Sequence, residues 1–231
     1  MFRKIAKFRS TYTPAGSLPA VLPVRLRLAP YLLFLGCLAL PVSLWANNAD
    51  PVSIVQQTAA TILADLNKNR DAYNADPEQL RAVVRKDLLP LLDLEFSARL
   101  ILGKSARGAS AEQISAFSEA MSNVLINRYA DGLLAFRSSD QLEVLPLKGD
   151  NSEKVTRVRT RIKLDNGGHA PVDYAFRKTE AGWKAFDVTV EGISYIITFR
   201  NQIGPRVEAD GIDKVTADIL AGNVVIKDQE S

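Results

Sequence analysis

Between residues 155 and 164 the chain alternates strictly: Val158, Thr160, Ile162 and Leu164 on one side, Arg157, Arg159, Arg161 and Lys163 on the other. A period of two cannot be buried by a helix, which would scatter those apolar side chains around its circumference, so this segment has to be a strand with one covered face. Asp165-Asn166-Gly167-Gly168 then leads into Val172, Tyr174 and Phe176, and Ala181-Gly182 leads into residues 183–190. Both links are short and turn-like, so they form hairpins and the sheet is antiparallel. Residues 142–147 read as a weaker strand, and Pro146 within them predicts an edge or a bend, because proline cannot donate to a ladder.

Helical periodicity brackets this sheet. Asp50-Pro51 supplies a cap and a first-turn proline ahead of Val52, Val55, Ala59, Ile62, Leu63 and Leu66. Asp76-Pro77-Glu78 repeats that signal before Leu80, Val83, Val84 and Leu88, with Pro90 as the interruption. A further helical stretch carries Leu91, Leu94, Phe96, Leu100 and Ile101 and ends at Gly103. Ser110 and Gln113 have capping-box spacing and open what reads as the longest helix, running to about Phe136 with Ile114, Phe117, Met121, Val124, Leu125 and Tyr129 inward. After Gly192 the helical pattern returns with Ile193, Ile196, Ile197, Phe199, Arg200 and Ile203. Gly204-Pro205 predicts a kink or stop, and Asp210-Gly211 separates a last helix with Ile212, Val215, Ile219 and Leu220. Helices, then strands, then helices define an α+β domain.

The N-terminus stands apart. Arg3, Lys4, Lys7, Arg9, Arg25 and Arg27 precede an uncharged apolar run over residues 28–46, broken by Pro30 and Pro41. A basic flank, an apolar run of this length and the small Ala46 before Asn47-Asn48 predict a signal peptide over residues 1–46, leaving one domain over residues 47–231. Six of the 29 Lys and Arg residues belong to that leader and none of the 26 Asp and Glu, leaving 23 against 26. The net charge of +3 is thus a property of the leader, and the mature part is mildly acidic, without the basic balance of a nucleic-acid binder. The single cysteine, Cys37, also lies in the leader, so the mature fold uses no disulfide although it is destined for an oxidising compartment. Gly36-Cys37 admits a lipoprotein reading, which Phe34 and Leu35 suit poorly.

Few residues are equipped for chemistry. His169 is the only histidine and lies beside the Gly-Gly turn, and HExxH, GxSxG, Cys/His clusters and phosphate-cradling glycine loops are all missing from the sequence. No metal or other cofactor is expected. Asp173, Asp187 and Glu191 lie on or beside strands, where alternation lets them face solvent. The basic stripe Arg157, Arg159, Arg161, Lys163 is either a solvated sheet face or a docking surface for acidic partners or lipid headgroups. The helices also present more apolar surface than one sheet face can cover, which either core packing or a pocket between the layers would accommodate.

The run from Trp183 through Phe186, Asp187, Glu191, Gly192 and Ser194, followed by Arg200-Asn201-Gln202, closely resembles the MlaC family of periplasmic phospholipid-binding proteins, also called toluene-tolerance auxiliary proteins. Leu89-Pro90 with Asp93, Ala98-Arg99 with Leu102-Gly103, the long helix from Phe117 to Tyr129, and Gly211-Ile212-Asp213 with Thr216-Ala217 resemble further blocks of that family. Nearly all of the mature chain is covered.

The resemblance implies a twisted antiparallel sheet wrapped by helices, similar to the NTF2-like shape, with a deep apolar cavity between the layers. It implies a carrier rather than an enzyme. The ligand would be a glycerophospholipid, and the partners an outer-membrane lipoprotein–porin complex and an inner-membrane ABC transporter complex with its lipid-binding subunit; nucleic acid is not among them. Within that frame, helical phase and strand alternation select Phe96, Leu100, Phe117, Met121, Leu125 and Tyr129 from the helices and Tyr174, Phe176 and Val188 from the sheet as cavity lining. The basic stripe is the candidate docking surface. Two other classes stay open: an NTF2-like enzyme, which needs Tyr174 or Asp173 inside the cavity beside a second polar group, and an envelope adaptor with a filled core.

Overall fold

The computed structural model describes residues 49–149, 151–164, 167–224 and 226; the expected signal peptide, with its Ala46/Asn47 junction and Cys37, lies outside the described residues. The described residues open with helix α1 (Pro51–Ala75), capped by Asp50, whose carboxylate accepts from the Val52 and Ser53 amides. Helix α2 (Pro77–Val83) is capped by Asp76 and passes through a π-turn (Val84–Leu88) and a 3-10 turn (Leu89–Leu91). Helices α3 (Leu94–Leu102) and α4 (Ala111–Tyr129) follow, the latter with the full Ser110/Gln113 capping box. At 25 residues α1, not α4, is the longest helix described. Its apolar stripe fades at the polar run Asn67 to Asp71, and tertiary contacts sustain the last turns: Arg70 donates to the carbonyls of Leu134 (2.5 Å) and Phe136 (2.6 Å).

The strands are β1 (Leu142–Val144), β2 (Val155–Lys163), β3 (His169–Thr179), β4 (Gly182–Val190) and β5 (Ile193–Ser194), joined in sequence order as one antiparallel meander. β1 is an outer strand and stops short of Pro146, as an edge position requires. The two-residue strand β5 replaces the immediate return to helix that the sequence pattern predicts. Glu191 and Gly192 make its turn possible, both at positive φ (51° and 86°), the geometry of a tight hairpin matched to strand twist.

Helix α5 (Tyr195–Asp210) continues past Gly204-Pro205 rather than stopping there, and α6 (Ile212–Leu220) follows Gly211. Pro205 forfeits only one helical hydrogen bond, and both it and Asn201 are exposed, so water can satisfy the freed carbonyl. Ile197, read as part of the apolar stripe, is 56% exposed; the buried face of α5 is Ile196, Phe199, Ile203 and Val207.

Register places Thr156, Val158, Thr160 and Ile162 of β2, Val172, Tyr174 and Phe176 of β3, and Val188 and Val190 of β4 on one face. The opposite face carries the basic stripe with Asp173 and Asp187. Buried apolar residues gather in three groups rather than one. The largest joins α3, α4, α5 and α6 around Ile114, Phe117, Phe199, Ile203 and Val215. A second joins α1 to α2 and the turn after α4 through Leu66, Tyr73, Leu80 and Ile126. The third joins the start of α1 to the sheet through Val55, Val158, Phe176 and Ala185. The α+β class with an antiparallel sheet wrapped by helices is therefore as the sequence predicts. No helix among the described residues is long and apolar enough to cross a membrane.

Candidate functional site

The residues of the Trp183–Arg200 block build the frame that holds helices against the sheet. A bulge interrupts the β3–β4 ladder at Ala175/Phe176, and a bulge leaves backbone groups without ladder partners. The chain entering α3 takes them up: the Asp93 amide donates to the Ala185 carbonyl at 2.7 Å, and Ser97 Oγ donates to the Phe186 carbonyl at 2.7 Å. The Asp93 carboxylate meets Arg177 Nη1 at 3.0 Å, and the same guanidinium lies over the Phe96 ring at 4.3 Å, while Phe96 meets Phe186 edge-on at 5.2 Å.

Asp187 is not the solvated carboxylate that alternation allows. Its Oδ2 accepts from Ser194 Oγ at 2.6 Å and its Oδ1 from the Ile196 amide at 3.1 Å, so it pins the start of α5. The motif is thus a set of joints between sheet, α3 and α5.

The candidate lining residues divide by whether they keep any surface. Phe117, Met121 and Phe176 expose 0, 3 and 2% respectively. They present next to nothing to a hollow: the first two are committed to helix–helix packing and the third to packing under α1. Helical phase places Phe117 and Leu125 together, but α4 is covered on more than one side by its packing against α3 and α6. Phe96 belongs with Phe186 and Arg177 at the bulge, outside all three apolar groups.

Leu100, Leu125, Tyr129, Tyr174 and Val188 are only partly buried. Leu100 and Leu125 edge the helical group, and Tyr174 edges the sheet group with Val188 directly across the strand from it. Val124, which helical phase places inward but not among the lining candidates, joins this set, as does Tyr195, which the sequence pattern does not single out. Tyr195 stacks edge-on with Tyr129 at 5.4 Å and meets Phe199 at 5.6 Å; its spacing of four from Phe199 is the signal that could have found it. Since β5 delivers the chain directly to Tyr195, that ring starts beside the end of β4.

Tyr174 has an unusual position. Burial pushes its phenol above the ordinary value, with no charge or hydrogen bond contributing, yet the residue keeps accessible surface. Its neighbours on the face are Val158, Val188, Val172 and Phe176, so no second polar group stands in line with it. Asp173 is on the opposite face, 3.7 Å from Arg157.

On that opposite face Arg157 and Arg161 have side chains 44 and 53% exposed, Lys163 is exposed and Arg159 half-buried. Arg161 reaches Glu143 at 3.9 Å. A separate open surface pocket of about 450 Å³ lies beside the bulge, lined by Leu89, Pro90, Leu92, Asp93, Leu94, Glu95 and Lys184. Leu89, Pro90, Leu92 and Leu94 give it an apolar side and Asp93, Glu95 and Lys184 a charged one. Among the described residues, no three His, Cys, Asp or Glu side chains are grouped to hold a metal ion.

An antiparallel meander that turns an apolar face toward a helical layer, with accessible apolar side chains left on both sides, defines an α+β protein of the helix-wrapped sheet class. The sequence model of the MlaC protein family matches residues 56–220. This chain belongs to the MlaC protein family. It is 29% identical over 177 residues to the toluene tolerance protein Ttg2D of Pseudomonas putida, covering 75% of this chain and 81% of that protein. It is 30% identical over 172 residues to the intermembrane phospholipid transport system binding protein MlaC of Haemophilus influenzae, covering 72% and 78%. The fold matches that of a phospholipid-binding protein from Ralstonia solanacearum, solved in complex with a phospholipid, with a TM-score of 0.64 at 21% identity over 74% of this chain and 99% of the other.

Proposed function

We propose that this chain is a carrier that shields the acyl chains of a glycerophospholipid between the inner face of its sheet and helices α3, α4 and α5. The observation that carries the reading is the division of the apolar interior, with Leu100, Leu125, Tyr129 and Tyr195 accessible on the helical side and Tyr174 and Val188 on the sheet side. Membership of the MlaC family supports it, as do relatives named for phospholipid transport and phospholipid binding.

The physics sets a demanding standard. A two-tailed lipid hides about thirty methylenes, and at about 0.8 kcal/mol each a bilayer holds it by roughly 20 kcal/mol. A vehicle that extracts such a lipid must offer a comparably dry interior, and one that delivers it must not bind much more tightly. Binding without catalysis is supported by the apolar neighbours of Tyr174, which leave it no partner for proton transfer on its own face.

In this reading residues 1–46 direct export to the periplasm and are removed. The exported domain passes lipid between an inner-membrane ABC transporter complex and an outer-membrane lipoprotein–porin complex, maintaining outer-membrane lipid asymmetry. The stripe Arg157, Arg159, Arg161, Lys163 docks on acidic surfaces of those complexes. Mass spectrometry of the purified protein after solvent extraction tests the central claim: stoichiometric glycerophospholipid is expected, and an empty protein that also takes up none from liposomes would overturn it.

A further inference from the structure

We infer that the open pocket beside the β4 bulge docks an extended segment of a partner protein. The segment adds to the outer edge of β4, seats an aliphatic side chain in the pocket and sets a carboxylate against Lys184. The assignment stands apart from the carrier reading. The edge of the sheet is available there: β5 covers only Thr189 and Val190 of β4, and the chain entering α3 meets the same edge at a single bridge, Leu92 beside Ala185. The Ala185 carbonyl points away from β3, since it accepts from the Asp93 amide at 2.7 Å, and alternation puts the amide and carbonyl of Trp183 on that same outer side. Among the described residues no other segment bonds to them. Leu89–Leu91 curl into the 3-10 turn instead of continuing alongside β4, and the pocket of about 450 Å³ opens where the two part.

The lining selects the occupant. An unpaired strand edge recruits peptide backbone, which offers donors and acceptors at the spacing of the ladder. Leu89, Pro90, Leu92 and Leu94 supply an apolar side for an aliphatic side chain. Of the charged groups, Asp93 is already paired with Arg177, and Glu95 is exposed, so water serves it. Lys184 is half-buried and makes no ion pair among the described residues. An ammonium held against apolar walls gains more from a carboxylate than a fully solvated one does, so the incoming strand is acidic rather than basic. Side chains two apart on a strand share a face. The recognised pattern is therefore an aliphatic and an acidic residue separated by one.

The probe is the peptide acetyl-Thr-Leu-Thr-Asp-Thr-amide, titrated into the purified, isotope-labelled protein and followed by NMR. Saturable shifts at the Leu92, Trp183 and Lys184 amides are expected, with slower hydrogen exchange at the Trp183 amide. Lys184→Glu should weaken binding about ten-fold, and a peptide carrying Lys in place of its Asp should recover that loss in the Lys184→Glu protein. Two further peptides test the strand pairing, one N-methylated at its Leu and Asp amides and the other at its Thr amides. Only one of these sets faces β4, so one peptide should fail and the other should bind like the parent. Absence of saturable shifts at those three amides, shifts centred on Arg157 and Arg161 instead, or equal effects of the two methylation patterns would each overturn the assignment. None of these outcomes bears on whether the protein holds lipid.

Discussion

Arg200 Nε on α5 donates to the carbonyl of Leu100 on α3 at 2.6 Å, joining two segments a hundred residues apart at the point where α3 runs out of its own donors. The contact follows from chain geometry: Gly103 turns away at a φ of 57° and leaves the last carbonyls of α3 open. Loss of this tie by Arg200→Ala should lower stability by about 1 kcal/mol, as expected for one hydrogen bond at a largely exposed site. Arg200→Lys should recover only part, because a single flexible ammonium lacks the fixed planar donors of a guanidinium. Thermal melts of the three proteins check this.

Phe117 and Leu125 share a face of α4 but not a fate. An Asp at position 117, where exposure is 0%, buries a carboxylate among apolar side chains and should cost several kcal/mol, so Phe117→Asp is expected to fold poorly or not at all. Leu125 keeps accessible surface, so Leu125→Asp should remain folded while losing copurified lipid. Circular dichroism and lipid mass spectrometry on both variants separate the two outcomes; a folded, lipid-loaded Leu125→Asp protein would remove Leu125 from the lining.

The basic stripe should matter for encounters rather than folding. Arg157 and Arg161 are about half exposed, and their nearest carboxylates, Asp173 and Glu143, sit at 3.7 and 3.9 Å; pairs of that kind contribute at most about 1 kcal/mol. Replacing both arginines by Glu should leave the melting temperature within a few degrees of the original. Lipid transfer to acceptor complexes should slow several-fold at low salt, with a smaller difference at high salt where steering is screened. Transfer unchanged at low salt would make the stripe a solvated sheet face and nothing more.

Alkaline titration should expose the two covered phenols. Tyr73 is raised first by burial and then by its hydrogen bond to Asp65, and Tyr174 by burial alone. A folded-state pKa above the unfolded value, near 10 for tyrosine, stabilises the fold fully below that value and loses this contribution as pH rises through the folded pKa. Melting temperature should therefore fall above about pH 10, with a shallower decline in Tyr73→Phe and in Tyr174→Phe. An identical decline in all three proteins would mean that neither phenol is linked to folding.

Local chemistry was readable along the chain wherever a rule acts over a few residues. Asp50-Pro51, Asp76-Pro77 and the Ser110/Gln113 box mark their helix starts, and strict alternation in β2 assigns both faces of the sheet, because capping and pleat geometry need only near neighbours. The family, too, was legible in the Trp183–Arg200 block. The tertiary structure alone decided the rest. Helical phase cannot tell Phe117, sealed between helices, from Leu125, left accessible beside them, since the difference lies in which neighbours cover α4. Alternation cannot tell that Asp187 caps α5 instead of facing water, since its partners arrive across a turn whose positive φ angles bring Ser194 back. Gly204-Pro205 reads as a kink or a stop, and only the exposure of that side of α5 shows why the helix continues. Tyr174 was assigned to the inner face by parity, but its packing against the group of Val55, Val158, Phe176 and Ala185 exists only once α1 has closed on the sheet.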